Sequence, residues 1–188
     1  LGLAYPLVFV PFFIMVFANG FNMLAGFNGL EAGLGVMMLG ALGYIVWARQ
    51  ELGQVAMLAA IMAACLVAFL IFNLYPAAIF PGDTLTYMVG ALVAIVAILG
   101  NAEKAALILL IPFIIEFFLK LRGKFKKESF GKPNPDNSLE IPYRRIYGLE
   151  HFFIWLLKKI KRKAFEKDVV FGLYTLELVL VFIVLFVL

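Results

Sequence analysis

LGQVAMLAAIMAACLVAFLIFNLYPAAIFPG, residues 52–82, contains no charged side chain. That run is longer than the ~20 apolar residues that cross a bilayer as a helix. It is not isolated, because Leu1 to Leu30, Ala32 to Ala48, Thr84 to Ala102 and the apolar stretch from Val169 onward are similar in character. The whole chain is 64% hydrophobic and holds 20 Phe, whereas soluble domains sit near ~45–50% apolar. The reading is an all-α, polytopic membrane protein forming one transmembrane domain. Apolar length predicts six helices over 2–18, 33–49, 54–74, 84–101, 105–121 and 169–188, separated by Asn-Gly, Pro-Gly and charged segments. The single cysteine, Cys65, can form no intrachain disulfide. Residue 1 is Leu, with no basic stretch before the first apolar run, so the chain reads as lacking its N-terminal part.

Of 16 Lys and Arg residues, all but Arg49 and Lys104 fall between Lys120 and Lys167. The positive-inside bias therefore places the 122–168 loop in the cytoplasm. Alternating the predicted spans puts the segments around Asn19–Glu31 and Tyr75–Asp83 on the same face. Three segments distant in sequence are thus expected to meet at one membrane surface.

The first reads Asn19-Gly20-Phe21-Asn22-Met23-Leu24-Ala25-Gly26-Phe27-Asn28-Gly29-Leu30-Glu31. Asn19 and Asn22 share a helix face if the first helix continues through them, and amide oxygens can ligate a hard cation. The alternative is turn chemistry, with Glu31 favouring the start of the next helix. The second ends Phe80-Pro81-Gly82-Asp83-Thr84. Asp83 reads as a helix N-cap, as a hard oxygen ligand for Mg²⁺, which usually takes one or two carboxylates with phosphate oxygens and water, or as both at once, one carboxylate oxygen capping while the other faces the metal. The third offers Lys124, Lys126 and Lys127 to a diphosphate, set against ordinary positive-inside charge. Within the loop, the segment from His151 to Lys163 reads as a helix lying at the interface. Glu116 and Glu177 fall inside predicted spans and are expected to be structural. His151 is the only histidine, which excludes a multi-histidine metal centre within this chain.

Asn22-Met23-Leu24-Ala25-Gly26-Phe27-Asn28-Gly29-Leu30-Glu31-Ala32-Gly33 and Phe80-Pro81-Gly82-Asp83-Thr84, in this order and separation, resemble the polyprenyl-phosphate N-acetylhexosamine-1-phosphate transferases of glycosyltransferase family 4. The likeness is greatest to the eukaryotic and archaeal UDP-N-acetylglucosamine:dolichyl-phosphate enzymes, since Ala25–Gly33 stands where bacterial members usually carry Asp-Gly-x-Asp-Gly. Leu139-Glu140-Ile141-Pro142-Tyr143 resembles the end of that family's long cytoplasmic loop.

The resemblance implies transfer of N-acetylglucosamine 1-phosphate from UDP-N-acetylglucosamine to dolichyl or polyprenyl phosphate, with UMP released, as the first step of lipid-linked oligosaccharide synthesis for protein N-glycosylation. It implies Asn22 and Asp83 as catalytic Mg²⁺ ligands, with Mn²⁺ the alternative ion. Asn28 and Phe80 would lie at the uracil, with Asn19 and Glu31 in support. Lys124, Lys126 and Lys127 stand where the eukaryotic loop has an Arg-His-Arg arrangement. The six helices would be the last six of about ten, and the family's early aspartate pair is absent, so this chain alone is expected to be inactive. A bilayer, a homodimeric partner and no nucleic acid complete the expectation. The location implied is the archaeal plasma membrane, or the endoplasmic reticulum in a eukaryote, with the site on the cytoplasmic face. The competing readings are another UDP-sugar or undecaprenyl phosphate within the same superfamily, and a membrane transporter.

Overall fold

The computed structural model describes residues 2–188. In chain order its helices are α1 (Tyr5–Met23), α2 (Leu30–Gln50), α3 (Gly53–Asn73), α4 (Asp83–Leu99), α5 (Glu103–Leu109), α6 (Ile111–Arg122), α7 (Leu149–Lys161) and α8 (Glu166–Phe186). One antiparallel strand pair, β1 (Lys132–Pro133) with β2 (Leu139–Glu140), folds the loop between α6 and α7. The all-α polytopic architecture is the one read from the sequence. Helices suit this solvent because a bilayer offers no water to satisfy free backbone groups.

Of the predicted spans, α1, α2, α3 and α8 are long and apolar enough to cross a membrane. α4 is shorter, with 17 residues. The predicted helix 105–121 is two pieces meeting at Leu110, because Pro112 at the start of α6 lacks the amide that would continue the ladder. Two boundaries also move. α1 runs on past residue 18 to Met23, so Asn19 and Asn22 are helical, and α2 begins at Leu30 rather than 33, so Glu31 is in its first turn. The Asn-Gly pair at 19–20 that reads as a turn is overridden by packing: Phe21 is buried and stacks on Phe113 at 5.2 Å.

α2 is central, packed against α3, α4, α5 and α8, with Leu34, Met38, Leu39 and Leu42 fully buried. α1 and α4 approach backbone to backbone. A Cβ at Gly90 would lie 2.5 Å from the Phe17 carbonyl oxygen and 2.8 Å from Ala18 Cα. Such small-residue contacts are how helices associate where lipid removes the hydrophobic drive. Outward faces carry exposed apolar residues such as Leu7, Ile71, Phe171 and Phe182, as lipid contact requires.

Polar bonds define the two ends of the bundle. At one end the last residues of α1, α3 and α6 meet the first residues of α2, α4 and α8. At the other, Arg49 near the end of α2 donates to the Leu185 carbonyl at 2.7 Å, placing a cation at the C-terminus of α8.

Candidate functional site

The connection between α1 and α2 is held by four separate elements. The Asn22 amide oxygen accepts the Thr86 hydroxyl at 2.6 Å, pinning the end of α1 to the first turn of α4. Lys120 of α6 donates to the Met23 carbonyl, one of the carbonyls that the end of a helix leaves without an intrahelical partner. Gly26 has φ +114°, open to glycine and strained for other residues, and its amide donates to the buried Glu31 carboxylate at 2.5 Å. From α3, Asn73 accepts the Gly29 amide at 3.1 Å, and from α8, the Tyr174 hydroxyl donates to the Gly29 carbonyl at 2.5 Å. The bland reading of this stretch as a simple turn is therefore too small; it is a junction.

Asp83 is the first residue of α4, and Gly82, not Asp83, occupies the N-cap with no side-chain capping bond. The N-cap alternative falls away, because the carboxylate stands outside the position that folds back onto the helix amides. Asp83 is exposed, and among the described residues its carboxylate accepts no hydrogen bond. Thr86 links it to Asn22: the same hydroxyl lies 3.1 Å from the Asp83 carbonyl oxygen. The preceding loop is fixed by Asn73, whose amide nitrogen donates to the Ile79 carbonyl at 2.9 Å, and this sets Phe80, which is 53% exposed.

The remaining predicted residues are placed less centrally. Asn28 is half-buried and its side chain is engaged at both ends: its oxygen accepts the Ala77 amide at 2.7 Å and its nitrogen donates to Glu166. Asn19 is exposed and bonded back to the Met15 carbonyl within α1 at 2.8 Å. Lys124 and Lys126 are exposed on the turn after α6, and Lys127 sits over the Tyr143 ring at 4.8 Å. That turn reaches the first segment through Phe130, whose ring packs on Phe27 and occupies the space a Cβ on Gly26 would need.

Three further carboxylates, Glu116, Glu150 and Glu177, are buried. Glu116 accepts the Leu149 amide at 2.6 Å and the Ser129 hydroxyl at 3.1 Å, with Lys120 at 3.5 Å, which gives it the structural role expected for it. Glu177 is buried in α8, and among the described residues neither of its oxygens has a hydrogen-bond partner. Glu150, the second residue of α7, is fully buried and likewise unpartnered. Burial first, then the Glu116 and Glu31 carboxylates, push the Glu150 carboxyl well above its ordinary range, opposed by its own backbone amide and by Lys120. Its neutral form is therefore the one the fold favours. The stability this confers is full below the ordinary carboxylate pKa and is lost as pH rises through the raised one. Glu150→Gln is expected to melt with wild type near pH 4 and several degrees above it near pH 9, as read by thermal unfolding in detergent; parallel curves would refute the charge penalty.

The loop itself is stapled to α7 and to the connection between α7 and α8. Lys158 pairs with Glu140, and Lys163 with Asp136 at 2.6 Å, each lysine holding its carboxylate below the usual range. α7 is the helix expected there. It buries Leu149, His151 and Ile154 and exposes Phe152 and Trp155, with Lys159 over the Trp155 ring at 4.1 Å.

The donor set near α4 fits a hard divalent cation only in part. Asp83 supplies one free carboxylate and Asn22 one amide oxygen with a lone pair left over, while no three His, Cys, Asp or Glu side chains among the described residues converge as a metal cluster. That suits Mg²⁺, which completes its shell with phosphate and water oxygens. Alongside, a groove of about 580 Å³ runs between α1 and α6, lined by apolar residues including Phe12, Met15, Phe113 and Phe117, with Met23 and Asn19 toward its site end.

Sequence reasoning missed Asn73, Thr86, Lys120, Glu166 and Tyr174, which hold the segments together. Asn73, set within the uncharged 52–82 run, was the clearest available signal.

Comparison with known proteins matches residues 1–101 to the family described as Glycosyl transferase family 4. The chain is 46% identical over 139 residues to a protein of Saccharolobus solfataricus with the provisional name UDP-N-acetylglucosamine–dolichyl-phosphate N-acetylglucosaminephosphotransferase, a match covering 73% of this chain and 43% of that relative. A Sulfolobus acidocaldarius protein of the same provisional name is 41% identical over 70% of this chain and 40% of its own length. The phospho-N-acetylmuramoyl-pentapeptide-transferase of Listeria innocua is 34% identical over 58% of this chain and 34% of that enzyme. The matched part of the chain thus spans less than half the length of each of these relatives. With the motifs, their order and more than half the chain matched, the chain belongs to glycosyl transferase family 4.

Proposed function

We propose that this chain forms part of an enzyme that transfers N-acetylglucosamine 1-phosphate from UDP-N-acetylglucosamine to dolichyl or another polyprenyl phosphate, releasing UMP. The observation that carries the reading is the Asn22–Thr86 hydrogen bond, which brings the amide of the first motif to the helix start bearing the carboxylate of the second.

Mg²⁺ held by Asp83 and Asn22 would supply charge neutralisation at the diphosphate. The rest of the parts list suits a transfer that depends on positioning more than on covalent help. The groove between α1 and α6 would take the isoprenoid chain, delivering its phosphate at the end where Lys120 and Met23 meet. A phosphate oxygen of the lipid then attacks the β-phosphorus of the UDP-sugar, the bond to the α-phosphate oxygen breaks, and UMP leaves. The exposed Phe80 ring offers a stacking surface for the uracil, and the lysines after α6 offer charge to the phosphates. The clustering of basic residues in the loop supports a cytoplasmic location for this end, and the archaeal source of the relatives supports a plasma membrane.

The polar groups gather at one end of the bundle, whereas a transporter site lies near mid-depth on interrupted helices. The test is Mg²⁺-dependent UMP release by the full-length protein with dolichyl phosphate and a panel of UDP-sugars. Release with UDP-N-acetylglucosamine alone is expected; folded protein that releases UMP with none of them returns the question to transport.

A further inference from the structure

We propose that α7 is a docking surface for anionic phospholipids of the leaflet at the site end of the bundle, with Lys159 and Arg162 holding headgroup phosphates and Phe152 and Trp155 entering the acyl boundary beneath them. Phe152, Trp155 and Lys159 follow one another at helical spacing and are exposed, while Glu150 and Ile154 on the opposite face are fully buried. Ile160, 69% exposed, widens the outward apolar face. In water such a face is a liability, whereas at a bilayer surface it is where aromatic rings collect. The place of the helix in the bundle agrees. Its first residue, Leu149, gives its amide to Glu116, less than two turns inside the end of α6. Phe153 fills the space that a Cβ on Gly172 would need, less than two turns inside the start of α8. Both contacts therefore lie about 9 Å below the helix ends, within the ~5–10 Å at which amphipathic helices rest in the interface. Phe171, next to Gly172, is exposed, so the outward face of α7 continues the lipid-facing surface of α8.

Charge decides which lipid. Of the cations at the end of α7 and just beyond it, Lys158 is paired with Glu140, Lys161 with Asp168 and Lys163 with Asp136. Among the described residues no carboxylate lies within ion-pair distance of Lys159 or Arg162. A helix C-terminus favours cations, but that preference does not account for the aromatic face beside these two. The Lys159 ammonium stands 4.1 Å over the Trp155 ring, a contact that leaves N–H donors for phosphate oxygens. Arg162 ends the helix with φ +65° and is exposed, and its guanidinium fork suits a phosphate. Each such cation near an anionic leaflet favours docking about fivefold. The groove between α1 and α6 that would take the acceptor lipid is lined by no residue of α7, so the two lipid contacts are separate. Through Glu116 and the Lys158–Glu140 pair, a docked α7 holds the loop after α6 against the membrane.

The test uses the full-length protein in nanodiscs of phosphatidylcholine alone or mixed with phosphatidylglycerol, read by hydrogen exchange of the α7 amides. Exchange is expected to slow at least about fivefold in the anionic discs, while core amides of α2 keep the same protection in both. Lys159→Gln combined with Arg162→Gln should erase that difference and leave thermal unfolding in detergent as in wild type. Equal exchange of the wild type in the two discs would overturn the anionic-lipid assignment, as would a difference that survives the double substitution. Inorganic phosphate added to phosphatidylcholine discs should leave exchange as it was; slowing to the anionic-disc rate would make this a site for free phosphate and end the lipid assignment. Depth has its own readout. Brominated phosphatidylcholine in the discs should quench the emission that Trp155→Phe removes, and an unquenched Trp155 would overturn docking at the interface. None of these readouts depends on turnover.

Discussion

Asp83→Asn in the full-length protein is expected to lower UMP release by on the order of 10³-fold while leaving expression, detergent extraction and thermal unfolding unchanged. The asymmetry follows from the geometry. Asp83 is exposed, is not the N-cap and receives no hydrogen bond, so the fold gains little from its charge beyond a favourable place near a helix N-terminus, worth about 0.3–1 kcal/mol. The proposed metal gains a great deal, because asparagine offers one neutral oxygen in place of a charged carboxylate. Near-normal turnover would end the metal assignment, and a loss of turnover matched by loss of folded protein would make Asp83 structural.

Gly90→Ala is expected to damage both stability and turnover, although it adds one methyl group. That methyl would enter the backbone of α1 at Phe17 and Ala18, where no flexible side chain can swing aside. Forcing extra atoms into such a contact costs about 1–3 kcal/mol. Thr86 lies four positions earlier on the same face of α4, so α1 cannot shift from Gly90 without moving Asn22 against Thr86. Gly40→Ala is the matched control. Nothing lies within 4 Å of its added Cβ, and removing a helix glycine there should stabilise by about 0.5–1 kcal/mol. Equal melting temperatures for the two variants would show that the α1–α4 contact is looser than described.

The fold was legible to the extent that it depends on apolar length, and the site to the extent that it depends on unusual polar residues in short motifs. Asn22 and Asp83 stood out because amides and carboxylates are rare in so apolar a chain. Helix ends were less legible: Asn19-Gly20 has local turn character, but burial of Phe21 carries the helix through it. Glu166 reads locally as an ordinary first-turn acid, and only the return of α8 to Asn28 reveals what it holds. Thr86 and Tyr174 likewise look like incidental polar residues on apolar helices until their long-range partners are known. Asn28 is the instructive case, since the motif singles it out while its bonds to Glu166 and to the Ala77 amide become visible only in the folded chain.

The Asn28–Glu166 bond spans 138 residues of chain. A ribosome adding about 5–20 residues per second delivers the carboxylate roughly 7 to 30 s after the amide it must hold. Through that interval the nascent helices can insert with the junction unlatched and its polar groups met by water at the membrane surface. Completion of this junction is thus tied to synthesis of α8, the element that brings both Glu166 and Tyr174 to the α1–α2 connection.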